Sequence, residues 1–452
     1  MPFNSLSFLV LFLPVSLLLY YLLPAKLRNG CLLVFSLLFL LIGDFGYALA
    51  MLASAVLDWL LGRRIARDPG TPASRRWLLA ALCKNGLLLL TLKQYDGFPD
   101  VFYASYPALN LLVPLGLGVY FFKSISYLAD LHTGQATPQK TPFGLWLYLF
   151  FYPALPFGPA VRYRDFVPFL RPEGRTISAA SMLNGFWSLS KGIFKIAILA
   201  KYLTGIWTTV SGNITGGGAL TALCALLCAA FGVFFLWSGS QDAAAGLSEL
   251  YGYRFPKADD YPLMAAGLGE FVRRTDRSLA LWLDTYAFSP LFAGENRLLR
   301  GIVRLILLLS FRSFFRCDPP MLAVWFAGIL LVLLLEYALY RPVLSKGWKG
   351  FRVLYVWVIL LLCLMLFLLP SYDAIRSFSA ALVRFGELST LDALLDGMTR
   401  PLLILGLLGA LLGFSGSIQR FGRRTLFLPI HGAPWLLLPA GLLLFTCSFI
   451  FI

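Results

Sequence analysis

The chain has 452 residues, of which 59% are hydrophobic and only 13% charged, with a mean hydropathy of +0.77. That balance excludes a soluble globular domain, whose charged share is near one quarter, and fits a polytopic membrane protein. The net charge of +16 sits in short clusters between apolar runs. Such clusters mark basic loops on one membrane side and argue against a nucleic-acid-binding face. The seven cysteines lie mostly inside apolar runs. Cys224 and Cys228, at helical i,i+4 spacing, read as packing, and no metal site is expected.

Residues 6–23 predict a first span, followed by Lys26 and Arg28. The start has no basic n-region and no small-residue site after its apolar run, so it does not read as a cleavable signal. Residues 31–61, interrupted at Gly43-Asp44, predict a tight hairpin of two short helices. The densest basic loop follows, with Arg63, Arg64, Arg67, Arg75 and Arg76. The positive-inside rule makes this side cytoplasmic and puts the N-terminus outside. Residues 77–92 then cross outward. The loop 94–106 has Asp96 and Asp100 but no Lys or Arg, as an outer loop should. Residues 109–129 return.

Residues 143–158 cannot be a plain span. Pro153, Pro156 and Pro159 fall three apart, and each removes a backbone donor and clashes with the preceding turn. Broken backbone at membrane depth survives only inside protein or along a wet cavity. A re-entrant arm is predicted, opening onto a basic mouth at Arg162 and Arg164, with Lys140, Arg171 and Arg175 on the same side.

Residues 183–207 cross outward with Lys191, Lys195 and Lys201, and residues 219–250 come back. Residues 251–296 are the least hydrophobic long stretch and predict cytoplasmic and interfacial helices, with 279–292 dipping inward. Spans follow at 301–315, 321–340 and 353–369. An interfacial helix lies within 373–400, and spans at 401–414 and 435–451 leave the C-terminus outside. The expected fold is all-α, with about twelve transmembrane helices plus the arm, in one domain over 1–452. Its parts are N-terminal helices (1–108), a core (109–340) and C-terminal helices (341–452). No internal repeat supports an inverted-repeat transporter.

Two stretches carry a resemblance. Pro114 to Tyr127 reads P-L-G-L-G-V-Y-F-F-K-S-I-S-Y, and Tyr152 to Tyr163 reads Y-P-A-L-P-F-G-P-A-V-R-Y. They are similar to two blocks of the membrane-bound O-acyltransferase (MBOAT) family in its bacterial branch, P-[IL]-G-[IL]-S-F-Y-x-F-x-x-[IL]-S-Y and F-P-x-x-x-x-G-P-[IVL]-x-R-[FY]. That branch holds the proteins of alginate O-acetylation and teichoic-acid D-alanyl transfer. Gly118-Val119 replaces the Ser-Phe of the first block. Lys191 to Lys201 resembles the family's basic helix. Trp237-Ser238-Gly239-Ser240-Gln241-Asp242 keeps the Ser-Gly and the Asp of D-F-S-G-Y-S-D. The likeness runs over about 1–340 and weakens from Phe231 onward.

The resemblance implies a central funnel through which an acyl group passes from a cytoplasmic thioester donor, acyl-CoA or an acyl-carrier protein, to an envelope polysaccharide or polymer. It implies no bound cofactor. It places Pro114, Tyr120, Ser126, Tyr127, Pro153, Gly158, Pro159 and Arg162 along the funnel. Lys191, Lys195, Ser238, Asp242, Arg273, Arg274 and Trp282 line its later part. Its partners would be the lipid bilayer of a bacterial cytoplasmic membrane, the carrier or CoA inside, and outside a partner transferase or an active paralogue; nucleic acid is not expected.

The catalytic block departs from the pattern. The family's E-F-W-R-R-W-H-I-S-L-S-x-W-L-R-D-Y aligns without a gap on Glu270 to Tyr286, and its histidine falls on Asp276. The second histidine, which the family uses as base, falls on Arg316, beside Cys317. The chain's two histidines, His132 and His431, lie elsewhere. Acyl transfer to a hydroxyl needs a base with a pKa near the working pH, which a neutral imidazole supplies. Asp276 could accept a proton only if burial raised its pKa, and Arg273, Arg274 and Arg277 pull the other way. Arg316 stays protonated and can hold only an anion. The reading is a degenerate or impaired O-acyltransferase, with two alternatives: an active enzyme with a non-histidine base, or a non-enzymatic scaffold or conduit. Lys123, within an apolar helix, reads either as a pathway residue or as a snorkelling one.

Overall fold

A computed structural model describes residues 5–42, 45–93, 116–155, 160–171, 174–175, 177–212, 214, 218–255, 262–275, 277–288, 348–369, 371–384 and 437–451. Every element among them is helical, in line with the all-α expectation. Helix α1 (Leu13–Leu22) is entered through a π turn, Phe8–Phe12, and α2 (Arg28–Leu41) follows after a short turn. Helix α3 (Phe45–Ile65) runs 21 residues, so the second arm of the hairpin is not short; it is long and apolar enough to cross a membrane by itself. Its last turn takes in Arg63 and Arg64. Both are good helix formers, and as cations they favour the negative end of the helix dipole.

Helices α4 (Pro72–Lys93), α5 (Leu117–His132) and α6 (Pro142–Phe150) follow. Pro72 and Pro142 sit where a helix can lose an N–H without loss. Gly116 turns the chain into α5 at φ +90°, and a Cβ there would meet Leu155 Cγ at 2.7 Å. The short α7 (Tyr163–Phe166) leads to α8 (Ala179–Phe194), which Ser178 caps by accepting from Ser181 N. A π stretch, Lys195–Ala200, joins α8 to α9 (Lys201–Gly212) as one rod. Then come α10 (Ala219–Leu250), α11 (Leu268–Thr275), α12 (Arg277–Leu283) with a π extension over Asp284–Phe288, α13 (Lys349–Leu368), α14 (Tyr372–Val383) and α15 (Leu437–Phe451). Besides Phe45–Ile65, the stretches Ala179–Gly212, Ala219–Leu250 and Gly350–Leu368 are long and apolar enough to cross a membrane. The spans expected at 301–315, 321–340 and 401–414 lie outside the described residues.

Helices α8 and α10 run antiparallel and meet through four glycines spaced by seven. Gly185 and Gly192 face Gly246 and Gly239 in reverse order. A Cβ on Gly192 would stand 2.5 Å from Ala243 N, and one on Gly246 2.4 Å from Leu189 N. In lipid, where tails are as apolar as side chains, such close backbone approach is what draws helices together.

The arm breaks where the prolines begin. Helix α6 ends at Phe150, and Tyr152–Ala154 continue as a 3-10 turn. Phe150, Phe151 and Tyr152 are wholly buried, so the break lies inside protein. Residues 156–159 are outside the described ones. On either side, donors and acceptors freed from helical bonding find side chains of other elements. Tyr152 N donates to Ser36 Oγ (3.2 Å), Ala160 N to Ser278 Oγ (3.1 Å), Tyr163 N to Ser126 Oγ (2.8 Å) and Arg164 N to Asp130 Oδ2 (3.0 Å). The Val161 carbonyl accepts from Tyr148 OH at 2.8 Å. Irregular backbone is tolerated in an apolar setting only under such compensation.

Candidate functional site

Helix α5 is the hub, because three of its faces serve three different neighbours. The first turns to α3 and α4. Asp58 is fully buried, and its Oδ1 accepts from Lys84 Nζ at 2.7 Å. Its Oδ2 accepts from Tyr120 OH (2.9 Å) and Ser124 Oγ (2.8 Å). Ser54 Oγ accepts from Lys84 (2.7 Å) and lies 2.8 Å from Tyr120 OH, to which its own proton can go, and Asn85 Nδ2 donates to Ser124 Oγ (2.7 Å). A buried charge pair repays its desolvation only with this kind of complete bonding. Tyr120, expected to line a funnel, is therefore a member of an interhelical network.

The second face turns to the arm. Ser126 accepts from Tyr163 N and donates to Tyr286 OH (3.0 Å). Tyr286 OH in turn donates to Asp130 Oδ1 (2.7 Å), and Asp130 Oδ2 holds Arg164 N. Burial pushes the Asp130 carboxyl above the usual carboxylate range, opposed by the bonds from Tyr286 and Arg164 N. Tyr127 lies against Gly62 of α3 and against the Tyr163 ring (4.8 Å between centroids), and its hydroxyl has no hydrogen-bond partner. Lys123 is 1% exposed, and its Nζ has no hydrogen-bond partner among the described residues; it stands 5.6 Å from the centre of the Tyr148 ring. It does not snorkel, which removes one of the two readings made for it.

The third face turns to α12. Trp282 Nε1 donates to the Phe122 carbonyl (3.0 Å), and the two rings meet edge-on at 4.7 Å. Thus the block that carries the family's first histidine position is fastened to α5 by Trp282 and Tyr286 and to the arm by Ser278. Asp276, Arg316, Pro114, Gly158 and Pro159 lie outside the described residues, as do His431 and Cys317. Nothing is described of the Arg273 side chain. Arg274 pairs with Glu270 one turn earlier on α11.

At the mouth, Arg162 is not free. Its guanidinium pairs with Asp165 at 2.6 Å, and Arg164 bonds Gln135. Arg175 reaches Asn29 and Tyr20 and lies 4.9 Å from the Phe169 ring. His132 shares a hydrogen bond with Ser74 Oγ (2.9 Å), tying the foot of α5 to α4. A second charged cluster bridges α8 and α10. Asp242 accepts from Lys191 (2.9 Å) and Lys195 (2.7 Å), and Lys195 also donates to Ser238 Oγ (3.1 Å). The structure brings together these four of the residues expected along the funnel. Pro153 lies in the buried turn of the arm.

Sequence reasoning missed Asp58, Lys84 and Asp130. A signal was present: Asp58 and Lys84 stand alone within apolar helices, and a lone ionisable residue there implies a partner.

The chain is 27% identical over 447 residues to "Probable alginate O-acetylase AlgI" of Azotobacter vinelandii, a match covering 96% of this chain and 87% of that one. It is 29% identical over 309 residues to the protein of the same name from Pseudomonas aeruginosa, covering 66% and 58%. It is 25% identical over 343 residues to "Peptidoglycan O-acetyltransferase" of Helicobacter pylori, covering 68% and 65%. No protein-family model matches the chain.

Proposed function

We propose that the chain, similar to O-acetylation proteins of the membrane-bound O-acyltransferase family, is a member of that family and handles an acyl thioester for O-acylation of a cell-envelope polymer without a histidine base. The observation that carries this reading is the junction of α5, the arm and α12. The backbone N–H groups of Ala160, Tyr163 and Arg164 past its break are bonded by Ser278, Ser126 and Asp130, while the histidine positions 276 and 316 hold Asp and Arg. The apparatus that would seat a donor is kept, and the family's base is lost. The chemical step is accordingly impaired or silent, and the protein works beside an active transferase in a bacterial cytoplasmic membrane.

The test uses the purified full chain with a radiolabelled acetyl thioester, on coenzyme A and on an acyl-carrier protein. Bound label with slow or absent transfer is the expected result. Transfer at a brisk rate that Asp276→Ala abolishes would establish an active enzyme with a carboxylate base. No binding of either thioester would sink the donor reading.

A further inference from the structure

Lys123 is a cation that the fold buries and leaves without an acceptor. Its ammonium can donate three hydrogen bonds and accept none, and it makes none among the described residues. Beside it stands the face of Tyr148, with the ring centre 5.6 Å from Nζ. A buried donor left unpaired is costly, more so when charged. A second, half-buried cation of this region, Lys84, is engaged by Asp58 and Ser54, so the fold supplies acceptors to such a group elsewhere.

The position of Lys123 is equally particular. One residue before it, Phe122 receives Trp282 of α12; three after it, Ser126 joins the arm to Tyr286. Tyr148, over which Nζ sits, bonds the Val161 carbonyl on the outgoing side of the broken arm. Lys123 thus marks the meeting of hub, arm and catalytic block. The block pattern of the resemblance leaves its position open.

We propose that Lys123 Nζ is a substrate-binding group that donates to the carbonyl oxygen of the acyl thioester. This rests on the donor reading above. What the site calls for is an uncharged or anionic oxygen acceptor on a small group that fits beside an aromatic face, and a short acyl carbonyl has both features. The lysine touches the reacting group and orients it; no covalent bond to nitrogen forms.

The experiment compares acetyl-coenzyme A with S-ethyl-coenzyme A, which lacks only the carbonyl oxygen, and repeats the pair on an acyl-carrier protein. Binding is measured on the full chain in detergent, for the natural protein and for Lys123→Met. Methionine keeps the length and removes the unpaired charge, so folding is preserved or improved. The natural chain is expected to prefer the acetyl form about tenfold or more, the worth of one hydrogen bond from a charged donor. Lys123→Met should erase that preference while leaving S-ethyl binding unchanged. An acetyl preference that survives in Lys123→Met overturns the assignment, as does equal binding of both forms by the natural chain. If neither form binds on either carrier, the donor reading itself has failed, and this inference falls with it. Which carrier shows the preference identifies the source of the thioester.

Discussion

Two regions of this protein solve helix association in opposite ways. The corner of α3, α4 and α5 is tied by a buried carboxylate with three donors. The α8–α10 pair is held by backbone against backbone at four glycines, with the Lys191–Asp242–Lys195 bridge beside them. The first device is directional and fails when one partner is lost. The second is steric and fails when one atom is added. A membrane chain that uses both can hold its hub in fixed register and still pack long rods closely.

The comparison breaks most sharply at the glycines. Gly246→Val is expected to cost more than about 4 kcal/mol, because a side chain there meets the backbone of α8; size-exclusion profiles of the expressed protein should lose the folded peak. Gly86→Ala and Gly205→Ala, where a Cβ would meet nothing within 4 Å, should be neutral or stabilising. If all three behave alike, close approach is not what holds the pair.

At the corner, Asp58→Ala should cost about 3–5 kcal/mol in thermal melts, since it strands Lys84. The double change Asp58→Leu with Lys84→Met should recover most of that loss. A double variant no better than the single one would mean that the hydroxyls, not the charge pair, carry the corner.

A smaller effect is expected at the junction. Tyr286→Phe removes the bond to Asp130 and one from Ser126, about 1.5–3 kcal/mol for a bond to a charged acceptor. Protease sensitivity near residue 288 should rise with it.

The smallest effect is one of pH. Burial raises the Asp130 carboxyl, so its contribution to stability is complete below its unfolded value of about 3.9 and is lost as pH rises through the raised folded value. Asp130→Asn should flatten the melting temperature against pH above about pH 4. Parallel curves for the two proteins would show that the carboxyl does not titrate in that window.

Much of this was legible in the sequence, for reasons that differ by element. The arm was readable because proline acts locally: Pro153 forbids continuation of α6 whatever surrounds it. Helix α10 was readable from its uninterrupted apolar run, which predicted 219–250 and matches Ala219–Leu250. The contact of Lys191 and Lys195 with Ser238 and Asp242 was not readable, because it joins residues 43 or more apart on two helices; the resemblance gave these residues only as members of a longer funnel lining. Asp58 with Lys84 was not read, because pairing across 26 residues is a tertiary fact. The glycine spacing of seven was present in both helices and overlooked, since each glycine taken singly looks like a weak helix residue. Lys123 was visible as an intramembrane charge, but only burial could tell a snorkelling side chain from a stranded one.

The rods of α8–α9 and α10 have a further consequence. They run 34 and 32 residues, about 51 and 48 Å at helical rise, against a hydrocarbon core of about 30 Å. Joined at two glycine contacts seven residues apart, they cannot slide past each other to shorten. Tilting in a thinner bilayer would therefore carry both rods as a unit, and the Lys191–Asp242–Lys195 bridge would move laterally with them.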